Sequence, residues 1–146
     1  SPPSQAPAPW YVERANPGAD PWTGAALNGF MVTLLNLRGA SAAMLAAGGG
    51  DDPTGVGARA RRLADEGAAT LARHLRDHDT GAWTYYGMLS GGRPWKTYLA
   101  DLNYHCYHVL LLERLAPLYP GRPFAATAER WLGYVDDAGL TCPKGG

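Results

Sequence analysis

Apolar residues recur along this chain in four separate segments, with the period of an amphipathic helix, about 3.6 residues. The segments are 24–47, 58–76, 99–118 and 124–136, and stretches rich in glycine or proline lie between them. Consecutive helices joined by ordinary loops are typical of antiparallel helical hairpins. The pattern therefore predicts an all-α fold built from two hairpins.

The predicted helices differ in the arrangement of their apolar residues. The first is apolar on nearly every side, as a helix packed within a larger body would be, and Gly39 is a candidate break point in it. In the second, Leu63, Gly67 and Leu71 recur every four residues, and charged residues occupy the outer face. The predicted buried face of the fourth carries Phe124, Ala128, Trp131, Leu132 and Val135.

The stretch 78–94 interrupts the helical pattern. It has no helical period and is dense in glycine and aromatic residues, which indicates an extended loop or a short hairpin. Loops of this length inside compact helical domains are usually functional. We therefore expect chemistry in this loop or beside it.

Composition narrows the classes of partner. Thirteen basic residues balance thirteen acidic ones, so charge gives no reason to expect nucleic acid or an anionic membrane as a partner. No apolar run reaches the roughly 20 residues that span a bilayer. The opening "SPPSQAPAP" has neither an initiating Met nor the charged start of a signal peptide. We expect a soluble chain with no membrane segment and no targeting signal.

The same features suggest three regions. Residues 1–22 form a proline-rich N-terminal segment, residues 23–140 form the helical body, and residues 141–146 form a short tail. The chain has two cysteines, Cys106 and Cys142, which are too few for a disulfide framework. Because Cys106 lies among helix residues, we expect a free buried thiol there.

Proton-handling groups crowd the start of the third helix. Tyr104 and His108 share a face with Leu111, and His105 lies beside that face. One interpretation makes Tyr104 and His108 amphipathic rim residues, with the apolar body inward and the polar tip in water.

The neighbouring loop favours a functional interpretation. It carries the aromatic residues Trp83, Tyr85 and Tyr86, followed by the cations Arg93 and Lys96. Flat aromatic faces suit pyranose rings, and cations suit carboxylates. This combination predicts a binding site for an acidic sugar.

A second pair of histidines has the spacing of metal ligands. His74 and His78 are four residues apart with Asp79 adjacent. They also lie at a helix C-terminus, where the helix dipole favours histidine. Because the glutamate of a zinc-protease helix is missing, we interpret them as dipole partners and predict no metal site.

Four stretches together resemble the C-terminal domain of the D-glucuronyl C5-epimerase family. They occur in the family's order and at compatible spacing over residues 10–135. The stretches are "LNGFM" (27–31), "DTGAWTYYGM" (79–88), "NYHCYHVLLLERL" (103–115) and "FAATAERWLGY" (124–134).

The resemblance implies a fold, an activity and a setting. The helical hairpins would form part of an (α/α) barrel or toroid, as the last part of a catalytic domain. The activity would be that of an isomerase that converts glucuronate to iduronate within a glycosaminoglycan-type polysaccharide such as heparan sulfate, by removing and returning the C5 proton. It would need no cofactor for catalysis, and a structural calcium would belong to the N-terminal portion of family members. Animal members act in the Golgi lumen, and a homodimer is one oligomeric state to consider.

The resemblance also assigns residues. The catalytic tyrosine after the DTG motif falls on Tyr86, the tyrosine of the YH pair on Tyr104, and the acidic residue of the N-terminal motif on Glu13. The asparagine that contacts substrate falls on Asn28. The other expected substrate-binding residues are Arg14, Trp83, Arg93, Lys96 and His105.

The chain departs from the family pattern at two positions. Arg14 stands where the family has a third active-site tyrosine, and Leu89 stands where it has a cation. Arg93 and Lys96 are nearby cations that could replace the one missing at Leu89.

Two alternatives remain open at the level of sequence. A polysaccharide lyase would use the same first step on a uronate, with His105 or His108 as a base. A non-catalytic carbohydrate-binding helical module would account for the departures at Arg14 and Leu89.

Overall fold

The structure, a computed structural model, describes residues 10–11, 26–48, 52, 54–89, 93–94 and 99–144. Within these ranges it contains four α-helices and a two-stranded antiparallel hairpin. The helices are α1 (Leu27–Ala47), α2 (Val56–His74), α3 (Leu102–Leu115) and α4 (Phe124–Asp137), and the strands are β1 (Met88–Leu89) and β2 (Arg93–Pro94). Short 3₁₀ turns follow α2 at Leu75–His78 and α3 at Ala116–Leu118. The predicted all-α fold and the short hairpin within 78–94 are confirmed.

The helices pack as two hairpins, as predicted. α1 packs against α2, α3 packs against α4, and α1 also contacts α3. The main hydrophobic core lies between the helices and includes Leu27, Phe30, Met31, Leu34, Ala68, Leu71, Leu75, Val109, Leu111, Leu112, Leu115, Phe124, Ala128 and Trp131.

Local signals explain where the helices of the second hairpin begin and end. The Asp101 side chain accepts a hydrogen bond from Tyr104 N at 2.8 Å, which caps the start of α3. After α4, Gly139 has a φ of +69°, and Leu140 N donates to Val135 O at 2.9 Å. Glycine adopts this left-handed conformation without strain, so α4 stops where the sequence predicts.

The first hairpin depends on small residues. Gly67 of α2 is buried, and a Cβ atom there would collide with the Leu34 side chain and lie 2.9 Å from Tyr11 Cε2. The α2 residues Gly57, Ala60, Ala64 and Ala68 are also buried. The small residues over most of this face allow α1 to approach α2 closely, and Leu71 adds a large side chain near its C-terminal end.

Two expectations about individual helices were wrong. α1 runs without a break through Gly39, because one glycine inside a helix costs only about 1 kcal/mol relative to alanine. Leu132 belongs to the outer side of α4, where it is 39% exposed, and Thr127 takes a place in the buried set instead.

α1 also differs from the expectation that no segment could span a membrane. Among the described residues, Leu27–Ala47 is long and apolar enough to cross a bilayer by length and composition, although only 22% of its most apolar 18-residue window is buried. Core helices of soluble proteins and N-terminal signal sequences meet the same criteria. The N-terminal half of α1 packs into the core through Phe30, Met31 and Leu34.

The expected free thiol was also wrong. Cys106 and Cys142 form a disulfide with a Cα–Cα distance of 5.6 Å. Cys106 lies on the partly exposed side of α3, and the chain after α4 returns past it. Helical spacing placed Cys106 correctly, but it could not show that the tail comes back to the same turn of helix.

Candidate active site

The start of α1 is joined to the aromatic loop through the backbone. Ala26 provides no side-chain cap, and Leu27 N donates instead to Tyr86 O at 3.0 Å. Ala26 and Gly87 also form an isolated antiparallel bridge. The contact with Tyr86 O gives the Leu27 N–H group, at the N-terminal end of the helix, a hydrogen-bond partner. Asn28 is the next residue in the chain after Leu27.

Tyr86 lies directly against the first turn of α3. Its ring contacts the ring of Tyr104 edge to face, with centroids 4.7 Å apart and planes at 71°. Tyr104 is 39% exposed, so this pair lies at the surface. Two residues that the sequence assigned to the site, Tyr86 and Tyr104, are therefore in contact, and a third, Asn28, follows the residue whose N–H is bonded to Tyr86 O.

The ring contact limits how a sugar could bind here. A pyranose between two aromatic faces needs ring planes about 7–8 Å apart, because carbon atoms pack at about 3.5–4.0 Å. The Tyr86 and Tyr104 rings are in contact and leave no such gap. A pyranose therefore could not lie between the two ring faces in this arrangement.

Asp79 anchors the loop that carries Tyr86. Its carboxylate accepts hydrogen bonds from Arg130 Nε and Nη2 at 3.0 and 2.8 Å, from Trp131 Nε1 at 2.9 Å and from the Tyr134 hydroxyl at 2.9 Å. It also accepts one from Gly81 N at 2.8 Å. The "DTG" loop is thus fixed to the outer part of α4 through one carboxylate.

The charge of Asp79 is stabilised by these donors. Burial disfavours the ionised carboxylate, but the hydrogen bonds from Trp131, Gly81, Arg130 and Tyr134 outweigh burial and hold the pKa of Asp79 below its usual value. In turn, the hydrogen bond to the carboxylate raises the pKa of Arg130. The anchor therefore remains an ion pair at neutral pH.

Thr80 and Trp83 shape the next part of the loop. The Thr80 hydroxyl accepts hydrogen bonds from Trp83 N at 2.8 Å and from Ala82 N at 3.2 Å. Trp83 Nε1 donates to Ala100 O at 2.7 Å, and the Trp83 ring stacks on His105 with centroids 3.8 Å apart. Trp83 therefore closes the loop over the start of α3.

A buried chain of hydrogen bonds lies beneath this surface. His105 Nε2 is 2.8 Å from Trp131 O, and because a carbonyl can only accept, His105 carries its proton on Nε2. His105 Nδ1 then accepts from the Thr84 hydroxyl at 2.9 Å, and the same hydroxyl oxygen accepts from His108 Nδ1 at 3.2 Å. Both histidines and Thr84 are fully buried.

Burial keeps these histidines neutral. It lowers the pKa of His105, and it lowers the pKa of His108 well below the usual 6.5, with nearby His78 and His105 adding to the effect on His108. The interpretation of His108 as a rim residue with a wet tip was therefore wrong. Tyr104 does have the predicted exposed tip.

His78 is a third buried neutral histidine. Its Nδ1 donates to Tyr85 O at 3.3 Å, its ring stacks on Trp10 with centroids 5.7 Å apart, and burial lowers its pKa to about 4. Its interpretation as a partner of the helix dipole was wrong, because the side chain is fully buried. His74 stays near the surface, where its Nδ1 lies 2.7 Å from Asp77.

The remaining predicted site residues are Glu13, Arg14, Asn28, Arg93, Lys96 and His105. Glu13, Arg14 and Lys96 lie outside the described residues, and Arg93 is placed only by backbone register, as the Cα partner of Leu89. Asn28 Oδ1 is buried and has no hydrogen-bond partner among the described residues. His105 uses both ring nitrogens internally, so its assignment to substrate binding stays a prediction and its contacts favour a positioning role.

No metal site is apparent in the described part of the chain. Among residues 10–11, 26–48, 52, 54–89, 93–94 and 99–144, no three His, Cys, Asp or Glu side chains form a group that could hold an ion.

Sequence reasoning missed several of the residues that hold the site together. Thr84 and Tyr134 gave no signal on their own, because their role depends on long-range contacts with His105 and Asp79. Asp79 was noted only as a neighbour of two histidines and as part of a motif. The donors on α4 occupy adjacent or nearby positions, 130, 131 and 134, and this cluster next to a buried aspartate could have indicated a carboxylate anchor.

The similarity of the chain to known proteins identifies its family. Residues 9–133 match a family model described as "D-glucuronyl C5-epimerase C-terminus". The chain is 31% identical over 128 residues to a Caenorhabditis elegans "D-glucuronyl C5-epimerase", an alignment that covers 86% of this chain and 20% of that protein. No solved structure matches the chain significantly. The chain spans about one fifth of the length of this relative, and it belongs to the D-glucuronyl C5-epimerase family.

Proposed function

We propose that this chain contributes the tyrosine-bearing part of a uronic-acid C5-epimerase, which acts on glucuronate within a glycosaminoglycan-type polysaccharide. The observation that carries the proposal is the contact between Tyr86 and Tyr104 at the end of α1 where Asn28 lies. Family membership supports the reaction, and the geometry supports the choice of residues. The two hairpins would form part of an (α/α) barrel.

The reaction requires a weak acid to lose a proton. The C5 hydrogen lies α to a carboxylate, so the negative charge of that carboxylate must be neutralised before a base can remove it. A tyrosine has a pKa near 10, and a nearby cation lowers it towards a useful range. Inversion then needs one group that removes the proton and another that returns it on the opposite face. We assign these two roles to the hydroxyl groups of Tyr86 and Tyr104, which would flank C5 beyond the point where the two rings touch.

Other residues would bind the sugar and its carboxylate, and their positions support these roles. The amide of Asn28 would bind the sugar, since Asn28 follows Leu27, whose N–H is bonded to Tyr86 O, and its buried Oδ1 has no partner among the described residues. The register that pairs Arg93 with Leu89 supports Arg93 as the cation for the carboxylate, with Lys96 and Arg14 as further candidates. Glu13 keeps its proposed role as an acidic catalytic group. This chemistry uses no cofactor.

The disulfide supports a compartment for the reaction. Disulfides form and persist in oxidising environments such as the secretory pathway and are rare in the cytosol. The Cys106–Cys142 bond therefore supports a lumenal or extracellular site of action, consistent with the Golgi lumen expected for animal family members.

Tyr86→Phe and Tyr104→Phe test the proposal. Each removes one hydroxyl and keeps the ring contact, so each should slow the release of label from a C5-tritiated glucuronate polymer by roughly 10²–10⁴-fold, the usual contribution of a positioned proton-transfer group. Thermal stability should stay nearly unchanged. Tyr119→Phe is the matched control, because Tyr119 packs on Phe124 and Arg38 at the other end of α3.

Other outcomes point elsewhere. Full label release in either variant removes that tyrosine from the mechanism. An unsaturated uronate product would indicate elimination, although the burial of His105 and His108 leaves a lyase without the base proposed for it. Sugar binding without label release from the wild-type protein would favour the non-catalytic module.

A further inference from the structure

A cavity of about 520 Å³ lies along the outward side of α3. Tyr104, Tyr107 and Leu110 form one wall, and these side chains are 39%, 36% and 38% exposed. Tyr104 is also the residue that contacts Tyr86. The cavity therefore shares one side chain with the candidate active site.

The chain after α4 builds the opposite wall. Leu132 of α4, together with Cys142, Pro143 and Lys144 of the tail, lines the cavity. The disulfide to Cys106 holds this tail against α3. The covalent bond thus keeps the chain at Lys144 close to the same cavity as two tyrosine rings, and Glu113 of α3 adds one acidic side chain to its lining.

A polymer substrate would need a binding surface next to the reacting sugar. If the reacting uronate lies inside a polysaccharide, the sugars on either side of it must continue along the protein surface away from Tyr86 and Tyr104. Exposed tyrosine rings and leucine side chains suit the C–H faces of a pyranose, and an ammonium group suits an anionic substituent. The volume falls within the roughly 300–1,000 Å³ typical of ligand pockets.

We propose that this cavity is a subsite for a sugar next to the reacting uronate, with Tyr107 against the sugar ring and Lys144 paired with an anionic substituent. The inference rests on the proposed function, since it assumes a uronate polymer at Tyr104. It assigns a binding role to the disulfide, which positions Lys144. A second copy of the chain is the competing occupant, because Leu110 and Leu132 are exposed in the cavity.

The test compares glucuronate-containing oligosaccharides of two lengths by titration calorimetry at low salt. Wild-type protein should bind a hexasaccharide more tightly than a disaccharide, since only the longer sugar reaches Lys144. Lys144→Met keeps most of the aliphatic stem and should weaken hexasaccharide binding about fivefold, as expected for one solvent-accessible ion pair. It should leave disaccharide binding unchanged. Arg122→Met is the matched control, because Arg122 is an exposed cation in the turn between α3 and α4, at the other end of α3.

A double-mutant cycle tests the part played by the disulfide. Replacing both Cys106 and Cys142 by serine should release the tail and weaken hexasaccharide binding by a similar factor, with helical content preserved by circular dichroism. In that background Lys144→Met should have no further effect, because the two changes remove the same contact. Independent, additive losses would contradict the proposed link between the disulfide and Lys144.

The remaining outcomes separate this inference from the proposed function. If wild-type protein binds neither sugar, the proposed function fails, and the subsite fails with it. If both sugars bind and Lys144→Met changes nothing, only the subsite is overturned. Concentration-dependent association in analytical ultracentrifugation that Leu110→Gln abolishes, with sugar binding unchanged, would assign the cavity to a second copy and overturn the subsite as well.

Discussion

The two helical hairpins are stabilised in different ways. α1 meets α2 through small apolar residues, and Gly67 leaves just enough space for the Leu34 side chain. α3 and α4 share the same apolar core, but they are also joined to each other and to the aromatic loop by Asp79 with its donors on α4, by the hydrogen bond from His105 to Trp131 O, and by the disulfide.

This difference affects the site. Apolar packing loses stability gradually as atoms are added or removed, whereas a buried polar network is sensitive to a single change that leaves several groups unpaired. Tyr86 and Tyr104 both lie on elements held by the polar network. The hairpin that carries the proposed chemistry should therefore be the more sensitive of the two.

Asp79→Asn should produce the largest loss of stability. The substitution keeps the shape of the side chain, but it removes the charge and presents an amide N–H₂ group towards donors on Arg130, Trp131 and Tyr134. We expect the free energy of unfolding to fall by about 3–4 kcal/mol, as when one member of a partly buried ion pair is removed. Urea denaturation measures the change.

Asp136→Asn on the exposed side of α4 is the control for this substitution, and a change within about 0.5 kcal/mol is expected for such a surface site. A loss from Asp79→Asn as small as that of Asp136→Asn would show that the polar network contributes little, and the contrast between the hairpins would disappear.

Acidic pH should cause the next largest loss of stability. In the unfolded chain His78 has its ordinary pKa of 6.5, but in the folded chain burial lowers it to about 4. Between these pH values the unfolded chain binds a proton that the folded chain does not, so stability is complete above pH 6.5 and falls as the pH drops towards 4. This one group should account for roughly 3 kcal/mol by pH 4.

Other groups act in the same direction. The pKa values of His105 and His108 are also lowered, mainly by burial, and the lowered pKa of Asp79 adds a loss at still lower pH. Denaturation in urea at a series of pH values should show this slope. His78→Phe, which keeps a ring against Trp10, should flatten the slope between pH 6.5 and 4. An unchanged slope in His78→Phe would exclude His78 as its source.

The helices and their apolar core are the part of the structure that the sequence predicted well. Helical periodicity depends on burial of apolar residues, and burial set the bounds of α2 and α4 to within about two residues of those predicted. Burial also explains the error at Leu132, which has the right spacing for the core but lies where α4 meets the cavity beside Cys142.

The buried histidines and their hydrogen bonds could not be predicted from periodicity. A buried histidine and a surface histidine look the same in sequence: the pattern predicts His108 at the rim and His78 as a partner of the helix dipole, and both are fully buried. Their burial depends on partners distant in the chain, Tyr85 O and the Thr84 hydroxyl. The candidate tyrosines were found through the family resemblance, and the structure added that their rings touch.

Gly67→Ala tests the close packing of α1 on α2, and its expected effect is smaller than those of Asp79→Asn and of acidic pH. The added Cβ meets Leu34 and Tyr11, and overpacking of this kind typically costs 1–3 kcal/mol. Alanine is also a better helix former than glycine by about 1 kcal/mol, which offsets part of that cost. We expect a net loss of about 1 kcal/mol in the free energy of unfolding by urea denaturation, with the disulfide intact. A gain in stability would mean that α1 can move away from α2 without cost.

Gly133→Ala should have the smallest effect, and the opposite sign. Gly133 lies inside α4, its φ is not positive, and a Cβ atom there would meet nothing within 4 Å. The helix preference of alanine should therefore appear without a packing cost, as a gain of up to about 1 kcal/mol in the same urea experiment. Because the substitution is chemically identical to Gly67→Ala, the difference in sign between the two variants isolates the close approach of Leu34 and Tyr11 as the cause. If both variants gain equally, close packing does not distinguish the first hairpin from the second.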